Sequence, residues 1–238
     1  MRLIKKTKEQ IVFSAEIGEG IANSIRRYTG QIPVLAVDEL EISRNDSPLY
    51  DETIAHRVGL VPLKMGKSAA GNKIKLSVQR DGTVYSGDMK GRVEVVYKNI
   101  PITTLDKGQE LEFTASLKLG KGSEHAKFSP GVMFYRDSAE ITMDKEFLEE
   151  VRKTVPEAEI KEKGNKIIIL DNKQREIADV CEGIANKKKK TVEVSPGKEL
   201  IINIESFGQL DAKNIFEEAL DALKKDLAAV EKAIDKAI

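Results

Sequence analysis

The side chains best suited to chemistry are few. The 238-residue chain carries two histidines, His56 and His125, and one cysteine, Cys181. A transition-metal site draws three or four such ligands at short, regular spacings. The histidines lie in separate segments with no HxH or HxxxH spacing, so no metal site is expected. Spacing alone leaves a Cys–His nucleophile pair open, but Cys181 falls on the apolar face of a helical segment, where a thiol usually packs as core. Gly18-Glu19-Gly20 precedes a helix as a phosphate-binding loop would, yet it lacks a third glycine and a following Lys-Ser/Thr. Lys187 to Lys190 could touch phosphates, although a lysine run beside Gly183 and Asn186 is more often a solvated loop. Arg26-Arg27 closes a short helical pattern, where positive charge suits the helix dipole. No aspartates cluster in the way that holds catalytic magnesium.

Composition narrows the class. Hydrophobic residues make up 40% and charged residues 33%, with 39 basic and 39 acidic side chains. That describes a globular chain with a heavily charged surface. Zero formal net charge argues against a surface built throughout to grip phosphates. An aromatic content of 5% argues against a stand-alone single-strand binder, which needs stacking platforms. No stretch approaches the roughly 18 apolar residues of a membrane span. MRLIKKTKEQ has charge but no apolar core, so no secretory signal is expected. One cysteine cannot form an internal disulfide; the expected setting is reducing and cytoplasmic.

The elements that must position these residues follow from periodicity. Ile11, Phe13, Ala15 and Ile17 alternate as a strand. Ile21, Ala22, Ile25 and Tyr28 make one helical face, with Gly30 placed for a left-handed cap. Val34 to Ile42 reads as a strand, and Asp51 opens a second short helix containing His56 and Arg57. From Pro48 to Met143 the pattern is mostly β: Ile74–Val78, Val93–Tyr97 and Leu111–Leu119 alternate between turn signals. Between Asp144 and Ser195 it reads helix to Pro156, strand Lys166–Leu170, helix Asn172–Ala185, strand Thr191–Val194, a small α+β module. Glu199 to Glu205 (ELIINIE) is a strongly apolar strand ended by Gly208, and Asp211 opens a long final helix. Phe216, Leu220, Leu223, Leu227, Val230 and Ile234 recur there at steps of four and three, a heptad seam that fits either packing on the chain's own sheet or a partner helix.

Four phrases, NSIRRYTGQIPVLAVDELEI, ETIAHRVGLVPL, HAKFSP and IESFGQLDAKNIFEEALDALKKDL, resemble the signature of the alpha-like subunits of DNA-directed RNA polymerase. The likeness is nearest to the archaeal members of that family, the D type, with bacterial alpha and the eukaryotic third-largest subunit as relatives. It runs over nearly the whole chain. The resemblance implies an α+β fold with a discontinuous dimerisation domain (residues 1–47 and 196–238, including the long C-terminal helix). An inserted mainly-β domain would occupy 48–143, and a degenerate ferredoxin-like module 144–195. Many archaeal relatives hold iron–sulfur clusters in that module. A four-iron cluster needs about four thiolates and only Cys181 is present, so no cluster is expected.

The resemblance further implies a non-catalytic scaffold. It would pair through Phe216, Leu220, Leu223, Leu227, Val230 and Ile234 with the small alpha-like subunit L, and then gather small zinc-binding subunits and the two large catalytic subunits. By the same resemblance, Arg26, Arg27, His56 and Arg57 face the large subunits, DNA is met only through the assembled complex, and no membrane is involved. Paired arginines suit carboxylate-rich protein surfaces. The rivals are a stand-alone nucleic-acid binder using the lysine run, and a self-associating subunit like bacterial alpha.

Overall fold

The computed structural model describes residues 1–65, 72–173 and 175–237. Of the segments read above, 66–71 in the β region, Gln174 and the final Ile238 lie outside the described residues. In chain order the strands are β1 (Arg2–Lys6), β2 (Gln10–Ala15), β3 (Pro33–Asn45), β4 (Lys73–Val78), β5 (Gly82–Tyr85) and β6 (Lys90–Gly91), then β7 (Pro101–Leu105), β8 (Leu111–Lys121), β9 (Gly131–Asp144), β10 (Glu159–Lys163), β11 (Lys166–Asp171) and β12 (Glu193–Ser206). The helices are α1 (Glu19–Tyr28), α2 (Asp51–Gly59), α3 (Leu148–Thr154), α4 (Ala178–Asn186) and α5 (Ala212–Ala237). The fold is α+β. It divides into two compact units, residues 1–23 with 133–204 and residues 24–132 with 205–238.

The first unit is built on a six-stranded sheet in the order β1-β2-β12-β9-β11-β10. ELIINIE lies inside it as part of β12, with Leu200, Ile201, Ile202 and Ile204 all buried. A continuous apolar run of this kind belongs to a strand covered on both faces. The segment from β9 to β12 runs β-α-β-β-α-β, with the spatial order β12-β9-β11-β10. Its core gathers Ile141, Phe147, Val151, Ile167, Cys181 and Ile184. The module read as 144–195 therefore borrows its outer strands from both flanks. The expected boundaries at 143 and 195 fall within β9 and β12.

The second unit holds a sheet in the order β3-β8-β4-β6 and a two-stranded β5-β7 pair. Phe113, Ala115 and Leu117 of β8 alternate into the core, as their spacing predicts. β3 pairs with β8 from Pro33↔Lys121 to Asn45↔Leu111. So β3, expected to belong with the chain termini, pairs with the β region in a unit that also holds residues 205–238, and position 47 lies inside this unit. α2 lies against β3 and β7, while α5 lies against the 3-10 turn Thr29–Gln31. Gly208 adopts φ +101° and sits so close to Val96 and Tyr97 that a Cβ would meet them at 2.7–2.8 Å. It can end β12 as it does only because it is glycine.

Four readings need correction. Gly30 does not cap α1 in the left-handed region; it lies in the 3-10 turn, and its carbonyl accepts Ser123 N–H at 3.0 Å. Val93–Tyr97 is not a strand: Val95 makes a single bridge to Leu63. Thr191–Val194 is not a separate strand, because β12 runs unbroken from Glu193 to Ser206. The helix read from Asn172 begins at Ala178. The cause is electrostatic. The Asp171 carboxylate, 1% exposed, accepts from Arg136 Nη2 at 2.7 Å and from Ile177 N–H at 3.2 Å. The same guanidinium donates to the carbonyls of Lys173 and Arg175, so the chain is held as a loop before α4 can start.

That pair generates a prediction. Removing one partner of a buried ion pair costs about 3–5 kcal/mol, because the other charge is left uncompensated. Asp171→Ala should lower unfolding stability by an amount of that order in urea titration, and Arg136→Met with Asp171→Leu should recover most of it. A loss for Asp171→Ala within the roughly 0.5 kcal/mol of an ordinary surface change would contradict this role.

Candidate interaction site

A defect in β3 organises a cleft between β3, α2 and the Ala126–Phe128 turn. The β3–β8 register shifts between Val37 and Glu39, leaving Asp38 as the bulged residue. A bulge re-aims its side chain out of the regular alternation. The Asp38 carboxylate accepts from Lys127 Nζ at 3.1 Å, and the same ammonium reaches the Asp38 carbonyl at 3.3 Å. Lys127 is brought there by HAKFSP. His125 precedes the 3-10 turn Ala126–Phe128, and its Nδ1 accepts Lys127 N–H at 3.1 Å. A neutral imidazole accepting at Nδ1 carries its proton on Nε2. Phe128 is buried, and its ring lies against Gly120 of β8.

α2 supplies the opposite wall. Ile54 and Val58 are buried beneath it, leaving Ala55, His56, Gly59 and Leu60 beside the bulge. The resulting cleft is about 150 Å³, with Val37, Leu40 and Leu60 as its apolar lining and Asp38, His56, His125 and Lys127 as its polar groups. The two histidines that looked unrelated in sequence thus line one depression. The first three signature phrases meet there: Val37, Asp38 and Leu40 from the first, His56 and Leu60 from the second, His125 and Lys127 from the third. Among the described residues no three His, Cys, Asp or Glu side chains are grouped to hold a metal. The cleft offers imidazole N–H donors beside an apolar wall.

The other expected site residues are distributed around it. Arg57 is exposed but engaged, its Nη2 donating to Pro101 carbonyl at 2.9 Å and fastening α2 to β7. Arg26 and Arg27 are exposed in the last turn of α1 and do not line the cleft. Next to them, Tyr28 Oη donates to Asp226 of α5 at 2.9 Å. This bond, with the Asp226 charge, holds the phenol above its usual pKa.

On α5 the buried face is Ala212, Ile215 and Ala219. Phe216, Leu220 and Leu223 are half-buried, whereas Leu227, Val230 and Ile234 are 60%, 56% and 53% exposed. Sequence reading missed Ile215. The signal was the Ala-Ile-Ala recurrence at three and four, masked by larger residues one position along.

The comparisons with known proteins bear on these features. The model of the RNA polymerase Rpb3/RpoA insert domain matches residues 37–134, a span that opens at the β3 bulge and contains every residue of the cleft. DNA-directed RNA polymerase subunit Rpo3 of Thermococcus kodakarensis is 31% identical over 246 residues, covering 94% of this chain and 93% of that one. The chain belongs to the Rpo3 family. Rpo3 of Pyrococcus horikoshii is 40% identical over 151 residues, a match that spans 57% of this chain and 58% of that relative. For Methanocaldococcus jannaschii Rpo3 the values are 36% over 171 residues, 69% and 88%. No described helix of this Rpo3-family chain is long and apolar enough to cross a membrane.

Cys181 is placed as core. It is fully buried, and burial, reinforced by the Asp171 charge, pushes its thiol up to about 11. Nucleophilic chemistry needs the thiolate, and neither histidine lies in the unit that contains Cys181. At pH 8 the folded chain should react with a thiol reagent on the order of a hundredfold more slowly than the urea-unfolded chain, given a free-thiol pKa near 8.5. Equal rates would show the thiol to be accessible and ionised.

Proposed function

We propose that this chain is a non-catalytic assembly subunit of a DNA-directed RNA polymerase, pairing through α5 with the small alpha-like subunit L. That heterodimer then receives the small zinc-binding and large catalytic subunits, and DNA is met only through the complex. The observation that carries this reading is the outer half of α5. Every described residue from Lys224 to Ala237 is exposed, and Leu227, Val230 and Ile234 form one stripe along it. An amphipathic helix with an uncovered apolar stripe is a recognised partner-binding element. Membership of the Rpo3 family supplies the kind of partner.

Arg26, Arg27, His56 and Arg57 are the groups we assign to the large subunits. The three arginines are exposed, and His56 opens onto the cleft. The Tyr28–Asp226 bond fastens the end of α1, with its arginines, to the helix proposed to carry the dimer interface. In this reading the module containing Cys181 is a structural fold without an iron–sulfur cluster.

Leu227→Asp should abolish the heterodimer in native mass spectrometry while shifting the melting of the free chain no more than a surface substitution does, about 0.5 kcal/mol. Ile215→Ala should instead destabilise the free chain by about 2–5 kcal/mol, the cost of a large-to-small change in a core. Arg26→Ala with Arg27→Ala should keep both the fold and the pairing and weaken recruitment of the large subunits. Retained wild-type pairing by Leu227→Asp would place the partner surface elsewhere.

Anaerobically purified chain should be colourless, because a cluster needs about four thiolates and the chain has one cysteine. Stoichiometric iron and acid-labile sulfide would refute that part of the reading.

A further inference from the structure

The lysine run that stood out in the sequence has no part in the proposed assembly surfaces, and its environment in the first unit is specific. α4 ends in a paired backbone cap: Lys190 N–H donates to Ala185 carbonyl at 3.1 Å and Lys189 N–H to Asn186 carbonyl at 3.0 Å. This is the Schellman arrangement, which needs a left-handed residue one step before its end. Lys189 fills that place with φ 56°, the one positive φ outside glycine among the described residues. Glycine takes such a conformation freely and a lysine does not. Strain of this kind persists where the surrounding contacts fix the backbone.

Those contacts are ionic. Lys190 Nζ lies 2.6 Å from Asp144 and 2.9 Å from Glu146, Lys188 Nζ 3.6 Å from Glu146, and Lys187 Nζ 2.8 Å from Glu150. The ammonium groups of Lys188 and Lys190 also stand 5.0 and 5.9 Å from the centroid of the Phe147 ring, which is buried. Asp144, Glu146, Phe147 and Glu150 occupy the corner where β9 passes into α3. One exposed ion pair contributes little by itself. Here several share one capped segment, so fixing the backbone once serves all of them.

We propose that Lys187–Lys190 is an ionic clasp that closes the end of α4 onto the β9–α3 corner and over the Phe147 ring, and that salt opens it. The lysines are occupied by carboxylates of their own unit. The run is therefore a conformational fastening of the entry into β12, not a standing site for phosphates. Its pairs are solvent-exposed, so ions screen them, and opening should be local to this corner.

The test is hydrogen exchange of the full chain, followed by mass spectrometry on peptides covering 184–192, with β8 peptides as the internal reference. Raising NaCl from about 0.05 M to about 1 M, which shortens the screening length to about 3 Å, should speed exchange in 184–192 by about tenfold or more and leave β8 unchanged. Lys190→Gln, and Asp144→Asn with Glu146→Gln, should each give fast exchange at both salt concentrations. Because the pairs lost in Lys190→Gln are all among those lost in the Asp144–Glu146 variant, the combination should be no faster than that variant alone. Salt-independent exchange, strictly additive effects of the two variants, or equal acceleration of β8 would each overturn the clasp.

Discussion

The first unit depends on β12 taking its place between β2 and β9. Without that strand, β1 and β2 have no sheet to join and the β9-β11-β10 ladder has an open edge. β12 is also nearly last in the chain, so the sheet closes only when segments about two hundred positions apart meet. Such closure costs chain entropy that grows slowly with length but delays folding of non-local sheets. The strand that bears this load is correspondingly apolar, with Leu200, Ile201, Ile202 and Ile204 buried. Its one buried amide in that stretch, Asn203, is satisfied by Gln10 Nε2 of β2 at 3.2 Å. Gly197 lets β12 approach β9 so closely that any Cβ there would collide with Ser138.

Legibility in the sequence followed the range of the force responsible. Where burial alone decides, the pattern was enough: β8 alternates as written, β2, β3 and β4 lie where the apolar spacing puts them, and the seam of α5 is visible as a heptad. Where one charged contact across the sheet decides, nothing local announced it. The helix read from Asn172 rests on Ile177, Val180, Cys181 and Ile184, and Arg136, held by Asp171, binds the carbonyls of Lys173 and Arg175 before the helix begins. The candidate cleft shows the same limit. His56 and His125 could be quoted from the sequence, yet what brings them together is a bulge at Asp38, and a one-residue register shift leaves no compositional trace. The domain boundaries were the least legible, because β3, β9 and β12 are long strands that each continue past a change in pattern.

Part of the charge in this chain fastens it internally. Equal numbers of acidic and basic side chains would allow a surface of diffuse, solvated ions. The pairs instead concentrate where backbone elements turn: Lys127 with Asp38 at the β3 bulge, Arg136 with Asp171 before α4, Lys190 with Asp144 and Glu146 after it, and Arg80 with Asp88 between β4 and β6. Of these, the Arg136–Asp171 pair carries the buried carboxylate, and there the loss of a partner is most costly. The exposed pairs give position rather than large stability.

The final helix inverts the usual amphipathic logic. Its buried face is made of small residues, Ala212 and Ala219, with Ile215 between them, which lets the backbone lie close to the Thr29–Gln31 turn. The larger apolar side chains, Phe216, Leu220, Leu223, Leu227, Val230 and Ile234, lie one position along, about 100° around the axis. They pass from half-buried at Phe216, Leu220 and Leu223 to exposed at Leu227, Val230 and Ile234. A helix serving only its own core would put its bulk inward, since burying a large apolar side chain is worth roughly 1.5–3 kcal/mol. Beyond the Tyr28–Asp226 bond, Leu227 to Ala237 is exposed throughout. Under the assembly reading the inversion is coherent. The small face anchors the helix to its own chain, and the large face, exposed along the outer half of the helix, is completed by a partner.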